Sequence, residues 1–299
     1  MRFFYLKLGK GNSLAVSWLA GNNPLGRPAA VIFFGPCTID DIRNGRTDSQ
    51  AKNFYESSLV EDQNKTVMVV IGQGQAWFLR SAGELIEHED PSDSENLWKI
   101  MPVEIISHKS LDQIPPVLAG INANTFLSQG TYREIKSWGN IKAIHCALGI
   151  DLPSEHTKDE NCDMRHLLEC LGSVELETLV AKLFEAAGCF VPAYRGGCIQ
   201  DVDLFAHNYR AVDIELDGLV VPAGERISIQ VKGTSRLSAC PDAVGCLIAL
   251  GAPQSPRCFG ENWLFRRVAS FPEVAEWLKL SLSWLPQNFV ERCLSKATI

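Results

Sequence analysis

The chain has 299 residues, enough for two domains with cores of their own. Its 46% hydrophobic and 21% charged content is that of a folded globular protein, which argues against a disordered chain. The net charge of −7 lowers the expectation of a protein that coats nucleic acid without specificity, and the deficit sits mainly in residues 151–299, with 14 basic against 20 acidic residues.

The opening MRFFYLKLGKG reads as a strand and a turn. It has neither the apolar stretch nor the small-residue cleavage site of a signal peptide, and no later apolar run approaches the roughly 18–20 residues of a membrane span. A cytoplasmic protein with no membrane partner is therefore expected. The ten cysteines are scattered without a CxxC pair or zinc-finger spacing, and reduced, mostly buried thiols are expected.

Through the first half the pattern is short strands broken by Gly and Pro. Strands are predicted at 2–8, at 30–34 (AVIFF), at 66–71 (TVMVVI), at 75–80 (QAWFLR) and at 101–107 (MPVEIIS). Trp18 falls near a Gly-Asn-Asn-Pro loop, 54–59 reads as a short helix, and the run EHEDPSDSEN reads as a solvated acidic loop. Pro116 suits the first turn of a short helix, and TYREI at 131–135 closes the region. Many short strands with few helices describe a small β-barrel or strongly curved sheet.

Residues 151–170 are polar, charged and contain Pro153, as a linker would be. Domains are expected at 1–150 and 171–299. The second opens with a helix, since Leu176, Leu179, Val180, Leu183, Phe184 and Ala187 recur on one face, with Ser173 as N-cap and Gly188 at its end. Strand signals follow in CFV, VDLFA, AVDIEL and ISIQV, then CLIALG as strand or helix, WLFRRVA as a strand and 272–284 as a helix. This order describes an α/β sandwich.

Strand alternation in ISIQVK puts Gln230 and Lys232 on one face, about 7 Å apart. In DVDLFA it pairs Asp201 with Asp203. A carboxylate, a polar oxygen donor and a lysine at strand ends suit hydrolysis of a phosphodiester with Mg²⁺, a hard cation that takes oxygen ligands. Asp213 and Glu215 also share a strand face and are rival acids.

A helix glutamate, then GGCIQDVD, then IQVK, resembles the PD-(D/E)XK nuclease superfamily over Val174–Gly233, and the Mrr-like restriction endonucleases of the D…QxK variant in particular. The resemblance implies that Asp203, Gln230, Lys232 and Glu177 are catalytic, that Asp203, Gln230 and Glu177 hold Mg²⁺ (Mn²⁺ able to substitute), and that Gly196 and Gly197 are the loop glycines before the aspartate. It implies an endonuclease of restriction or defence type acting on double-stranded DNA, with a homodimer making two cuts. The gap from Asp203 to Gln230 is longer than the family's, filled by a hairpin with a VPAGER turn.

The strand order of the first domain, with QAWFLR in the middle and a late GTYREI, is similar to PUA-like barrels of the EVE and YTH kind. That likeness implies reading of a modified base, with Trp18 and Trp77 as pocket walls and Arg133 on phosphate or base; a core place for each tryptophan and a salt bridge for Arg133 are the competing readings. The fold expected is thus α/β overall, an N-terminal β-rich PUA-like barrel followed by a C-terminal restriction-endonuclease-like sandwich. An effector nuclease triggered by a small ligand or protein, and a non-catalytic nucleic-acid-binding module, are the alternatives.

Overall fold

The computed structural model describes residues 1–33, 35–90, 93–123, 131–150, 164–192, 194–199, 202–233, 240–242, 244–252 and 255–296. The chain divides into two compact units, Met1–Ile150 and Asp151–Ile299.

The first unit is built on a seven-stranded mixed sheet that curls into a half-barrel. In chain order it contains β1 (Arg2–Leu6), α1 (Ala15–Leu19), β2 (Ala29–Phe33), α2 (Ile39–Arg43), α3 (Ser49–Ser58), α4 (Val60–Gln63), β3 (Thr66–Gly72), β4 (Gln75–Ser81), β5 (Ile86–Asp90), β6 (Asp93–Ser110), α5 (Pro116–Ala119), β7 (Tyr132–Glu134) and α6 (Trp138–Leu148). The sheet order is β2-β6-β4-β3-β1-β7, with β5 added against β6. Strand β1 runs parallel to β3, and the other pairs are antiparallel. The 18-residue β6 serves β2 and β5 with its first half and β4 with its second, and the register shifts between Phe78 and Leu79 of β4, where β6 carries the extra residue Ile106. The core spans the sheet, with Phe4, Leu6, Val31, Ile32, Phe54, Met68, Val70, Leu79 and Ile100 fully enclosed.

Several expectations change here. The acidic run is a hairpin, β5 with the start of β6, because Glu87 faces Lys99 and His88 faces Trp98 across the ladder. Trp18 lies in the short helix α1, next to the Gly-Asn-Asn-Pro loop as expected. Helix α3 starts five residues earlier than predicted, where Asp48 accepts the N–H groups of Gln50 and Ala51. Helix α6 has no counterpart in the sequence reading, since its buried face includes the polar Asn140, Lys142 and His145, which mask the apolar period.

The second unit carries α7 (Met164–Leu168), α8 (Ser173–Ala186), β8 (Tyr194–Ile199), β9 (Val202–His207), β10 (Ile214–Leu216), β11 (Leu219–Val221), β12 (Arg226–Lys232), β13 (Cys246–Ala249), β14 (Cys258–Phe259), α9 (Glu261–Ser270), α10 (Pro272–Ser281) and α11 (Gln287–Ser295). Its five-stranded sheet has the order β14-β13-β12-β9-β8. Strands β12, β13 and β14 are parallel, and β9 is antiparallel to both β12 and β8. The mixed α/β class is thus the observed one.

Helix α8 packs against β8, β9 and β12 through Leu176, Leu179, Val180, Leu183 and Phe184, all buried. Each such side chain contributes about 1.5–3 kcal/mol. Its N-cap is Gly172 rather than Ser173: the Glu175 carboxylate accepts the Gly172 N–H at 2.8 Å. Gly188 follows at φ +99°, a conformation that favours glycine. Of the expected linker, 151–163 lie outside the described residues, while α7 buries Leu167 and Leu168 and packs on α9 and α11.

The WLFRRVA segment is helical, not a strand. Trp263, Leu264, Phe265 and Val268 fill one side of α9, and Arg266 and Arg267 ion-pair with Asp217. Helix α11 was not foreseen. Its Cys293 is disulfide-bonded, which corrects the expectation of ten reduced thiols; seven described cysteines are free. Among the described residues no helix is long and apolar enough to cross a membrane.

Candidate active site

Strand β12 carries the centre of the site. Its apolar positions Ile229 and Val231 are buried, and between and beyond them Gln230 and Lys232 share the other face. Strand β9 pairs antiparallel with it, with Ile229 opposite Leu204. The next step along that ladder puts Asp203 beside Gln230 on the same face. Both are buried.

Asp203 is held by two contacts to one oxygen. Its Oδ2 accepts the backbone N–H of Val231 at 2.7 Å, and the Lys232 Nζ lies 3.7 Å from the same atom. Oδ1 is left for another partner. The Lys232 side chain is 41% exposed, so its ammonium reaches solvent while its stem lies against the sheet.

Glu177 reaches this cluster from α8. Burial is the main cause that pushes its carboxyl above the ordinary glutamate value; the Asp203 carboxylate pushes it further, and Lys232 opposes. Two carboxyls that repel each other beside one lysine are short of positive charge.

The rival acids are elsewhere. Asp213 and Glu215 are exposed on the β10 side of a separate two-stranded ladder. The Asp213 Oδ1 accepts the Ala223 N–H at 2.8 Å and so braces the VPAGER turn. The insertion that lengthens the Asp203–Gln230 gap is the β10–β11 hairpin, closed by Asp217 and Gly218 at φ 50° and 87°. Trp263 of α9 donates its indole N–H to the Leu216 and Asp217 carbonyls at 3.1 Å, which ties the turn down. Asp201 lies outside the described residues. Gly196 and Gly197 lie within strand β8.

Among the described residues no group of three or more His, Cys, Asp or Glu side chains could hold a metal. The set here is two carboxyls and one amide, all oxygen donors. Its chemistry fits a hard cation of the Mg²⁺ kind, because the Asp203 charge is near enough to raise the Glu177 carboxyl and the hydrogen bond and ion pair of Asp203 both use Oδ2.

In the first unit, Trp18 and Trp77 are each 5% exposed and belong to the apolar core. Trp18 is tilted against Trp98 at 5.6 Å, and Trp77 stacks on His108 at 5.1 Å. Core packing, not an open wall, is their place, as large aromatic rings on a curled sheet favour. Arg133 lines a cleft of about 410 Å³ together with Gln50, Asn53, Lys136 and Asn140. Neither Lys136 nor Asn140 stands out in the sequence: Lys136 is an exposed lysine in the segment after β7, and Asn140 is a polar helix residue whose burial only the fold reveals.

The chain matches no family model, no curated protein and no solved structure.

Proposed function

We propose that the second unit is a metal-dependent endodeoxyribonuclease of the restriction or defence type. The observation that carries the reading is the placement of Asp203, Gln230 and Lys232 on two adjacent strands, with Glu177 of α8 within electrostatic reach of Asp203 and Lys232. The mixed sheet order, an antiparallel β8–β9–β12 run continued by parallel β13 and β14, also supports it.

Asp203, Glu177 and Gln230 are the residues that would hold Mg²⁺, or Mn²⁺ in its place. Bound there, the cation would neutralise charge on the scissile phosphate and lower the pKa of a coordinated water. The Val231 N–H fixes the Asp203 carboxylate, so its orientation costs nothing at the moment of binding. Lys232, the exposed member, orients the attacking water and offsets the negative charge that develops on the phosphoryl oxygens. The substrate is double-stranded DNA, cut on both strands by a homodimer. The first unit reads the DNA, with Arg133 as its candidate contact to phosphate or a modified base.

A digest of duplexes that differ only in cytosine or adenine modification, run with Mg²⁺ and with EDTA, tests the reading. Cleavage that needs Mg²⁺ and disappears in Lys232→Ala is expected. Full metal-dependent cleavage by Lys232→Ala, or cleavage indifferent to EDTA, would sink it. A second reading, a nuclease switched by a small ligand, is favoured by the polar cleft beside Arg133, and the same digest with and without cell extract separates the two.

A further inference from the structure

The cleft of the first unit is bounded by α3, β7, the segment after it and the start of α6. Its lining is rich in donors. Arg133 and Lys136 bring cationic groups. Gln50 spends its Oε1 on the N–H groups of Thr131 and Tyr132, which leaves its NH₂ to donate. Asn53 likewise spends its Oδ1 on Arg2. Ser137 stands at the N-cap of the 11-residue α6 and its side chain makes no cap bond, so the positive end of that helix faces the segment that bounds the cleft. The acid of the lining, Glu134, is engaged by the Arg2 Nε at 3.1 Å and the Lys136 Nζ at 3.5 Å.

A second observation is independent of that charge. Asn140, only 7% exposed, has an Oδ1 that is buried and accepts no hydrogen bond. It lines the same cleft. Buried polar atoms are nearly always paired, and an acceptor left open beside a cavity asks for an N–H or O–H from whatever fills the cavity. The ligand must therefore bring one hydrogen-bond donor along with many acceptors.

We infer that this cleft binds a phosphorylated small molecule of about nucleoside monophosphate size, independently of any nuclease activity in the second unit. The phosphate meets Arg133, Lys136 and the start of α6, as phosphates meet guanidinium groups and helix N-termini. A hydroxyl or amino group of the organic part donates to the Asn140 Oδ1. The cleft volume of about 410 Å³ exceeds what a bare phosphate fills and lies within the range of small-molecule sites.

Calorimetry on the full chain tests this with ribose 5-phosphate, the four nucleoside 5′-monophosphates, inorganic phosphate and the unphosphorylated nucleosides. At least one organic phosphate is expected to bind one per chain, roughly tenfold or more tighter than inorganic phosphate, with no binding of the nucleosides. Lys136→Ala and Asn140→Asp should each weaken that binding about fivefold or more. The Lys136 side chain is 80% exposed, so its replacement leaves the fold intact and decides the matter if Asn140→Asp does not fold. No binding of any organic phosphate, affinity equal to that of inorganic phosphate, or affinity untouched by Lys136→Ala would overturn the inference.

Discussion

Asp203 and Lys232 meet at a single oxygen, 3.7 Å apart, and that oxygen also takes the Val231 N–H at 2.7 Å. The ion pair and the hydrogen bond separate under mutation, because the lysine is partly exposed and the amide is not. Lys232→Ala should change the melting temperature little, since exposed pairs contribute about 0–1 kcal/mol. Cleavage should fall by about two orders of magnitude or more, the range for loss of a group that offsets charge in the transition state. Gel-based cleavage alongside a thermal melt measures both.

Substitutions at Asp203 divide the same way. Asp203→Asn keeps an oxygen for the Val231 N–H and should fold, yet lose Mg²⁺-dependent cleavage. Asp203→Ala leaves a buried N–H without its acceptor and should lower stability by about 1–3 kcal/mol as well. Equal stability of the two variants in urea denaturation would show that the hydrogen bond is not what holds the strands there.

Glu177 predicts a pH dependence. Its value in the folded chain is raised, by burial first and the Asp203 charge second. Between the ordinary glutamate value and that raised one, the folded state holds more protons than the unfolded state. The stability this group contributes is therefore complete below about pH 4 and is lost as pH rises through the raised value. Glu177→Gln should be more stable than the parent at pH 7, and the difference should close toward pH 4. Mg²⁺ should stabilise the parent at pH 7 and the variant less. A difference between the two proteins that does not vary with pH would refute the assignment.

Trp263 anchors the inserted hairpin through two carbonyls of the β10–β11 turn. Trp263→Phe fills most of the same core but leaves the Leu216 and Asp217 carbonyls unanswered, and should cost about 1–3 kcal/mol. Hydrogen exchange should accelerate at Ile214–Val221 and stay unchanged across β9 and β12. If β12 exchanges faster too, the hairpin and the sheet open as one unit.

Periodicity carries information only where burial follows chemistry. Leu176, Leu179, Val180, Leu183 and Phe184 wrote helix α8 into the sequence, and the alternation of ISIQVK put Gln230 and Lys232 on one face before any coordinates, because both patterns arise from apolar groups leaving water. Helix α6 hid because Asn140, Lys142 and His145 are buried polar residues, and α9 read as a strand because Arg266 and Arg267 interrupt its apolar face. The hairpin β5–β6 hid because β5 after Ile86 is Glu87, His88, Glu89 and Asp90, a polar run with no apolar alternation to mark a strand.

The residue types of the candidate site were legible in the chain, since a carboxylate, an amide, a lysine and a helix glutamate each sit on a recognisable element. Which acid joins them was not. Asp203, Asp213 and Glu215 look alike in sequence, and only the antiparallel pairing of β9 with β12 brings Asp203 to Val231 and Lys232 while Asp213 braces a remote turn. The cleft that Asn140 and Lys136 line was likewise invisible, because its parts come from α3, β7 and α6. Local pattern determines which face a side chain takes on its own element; which faces meet is decided by strand pairing and core packing between residues far apart in the chain.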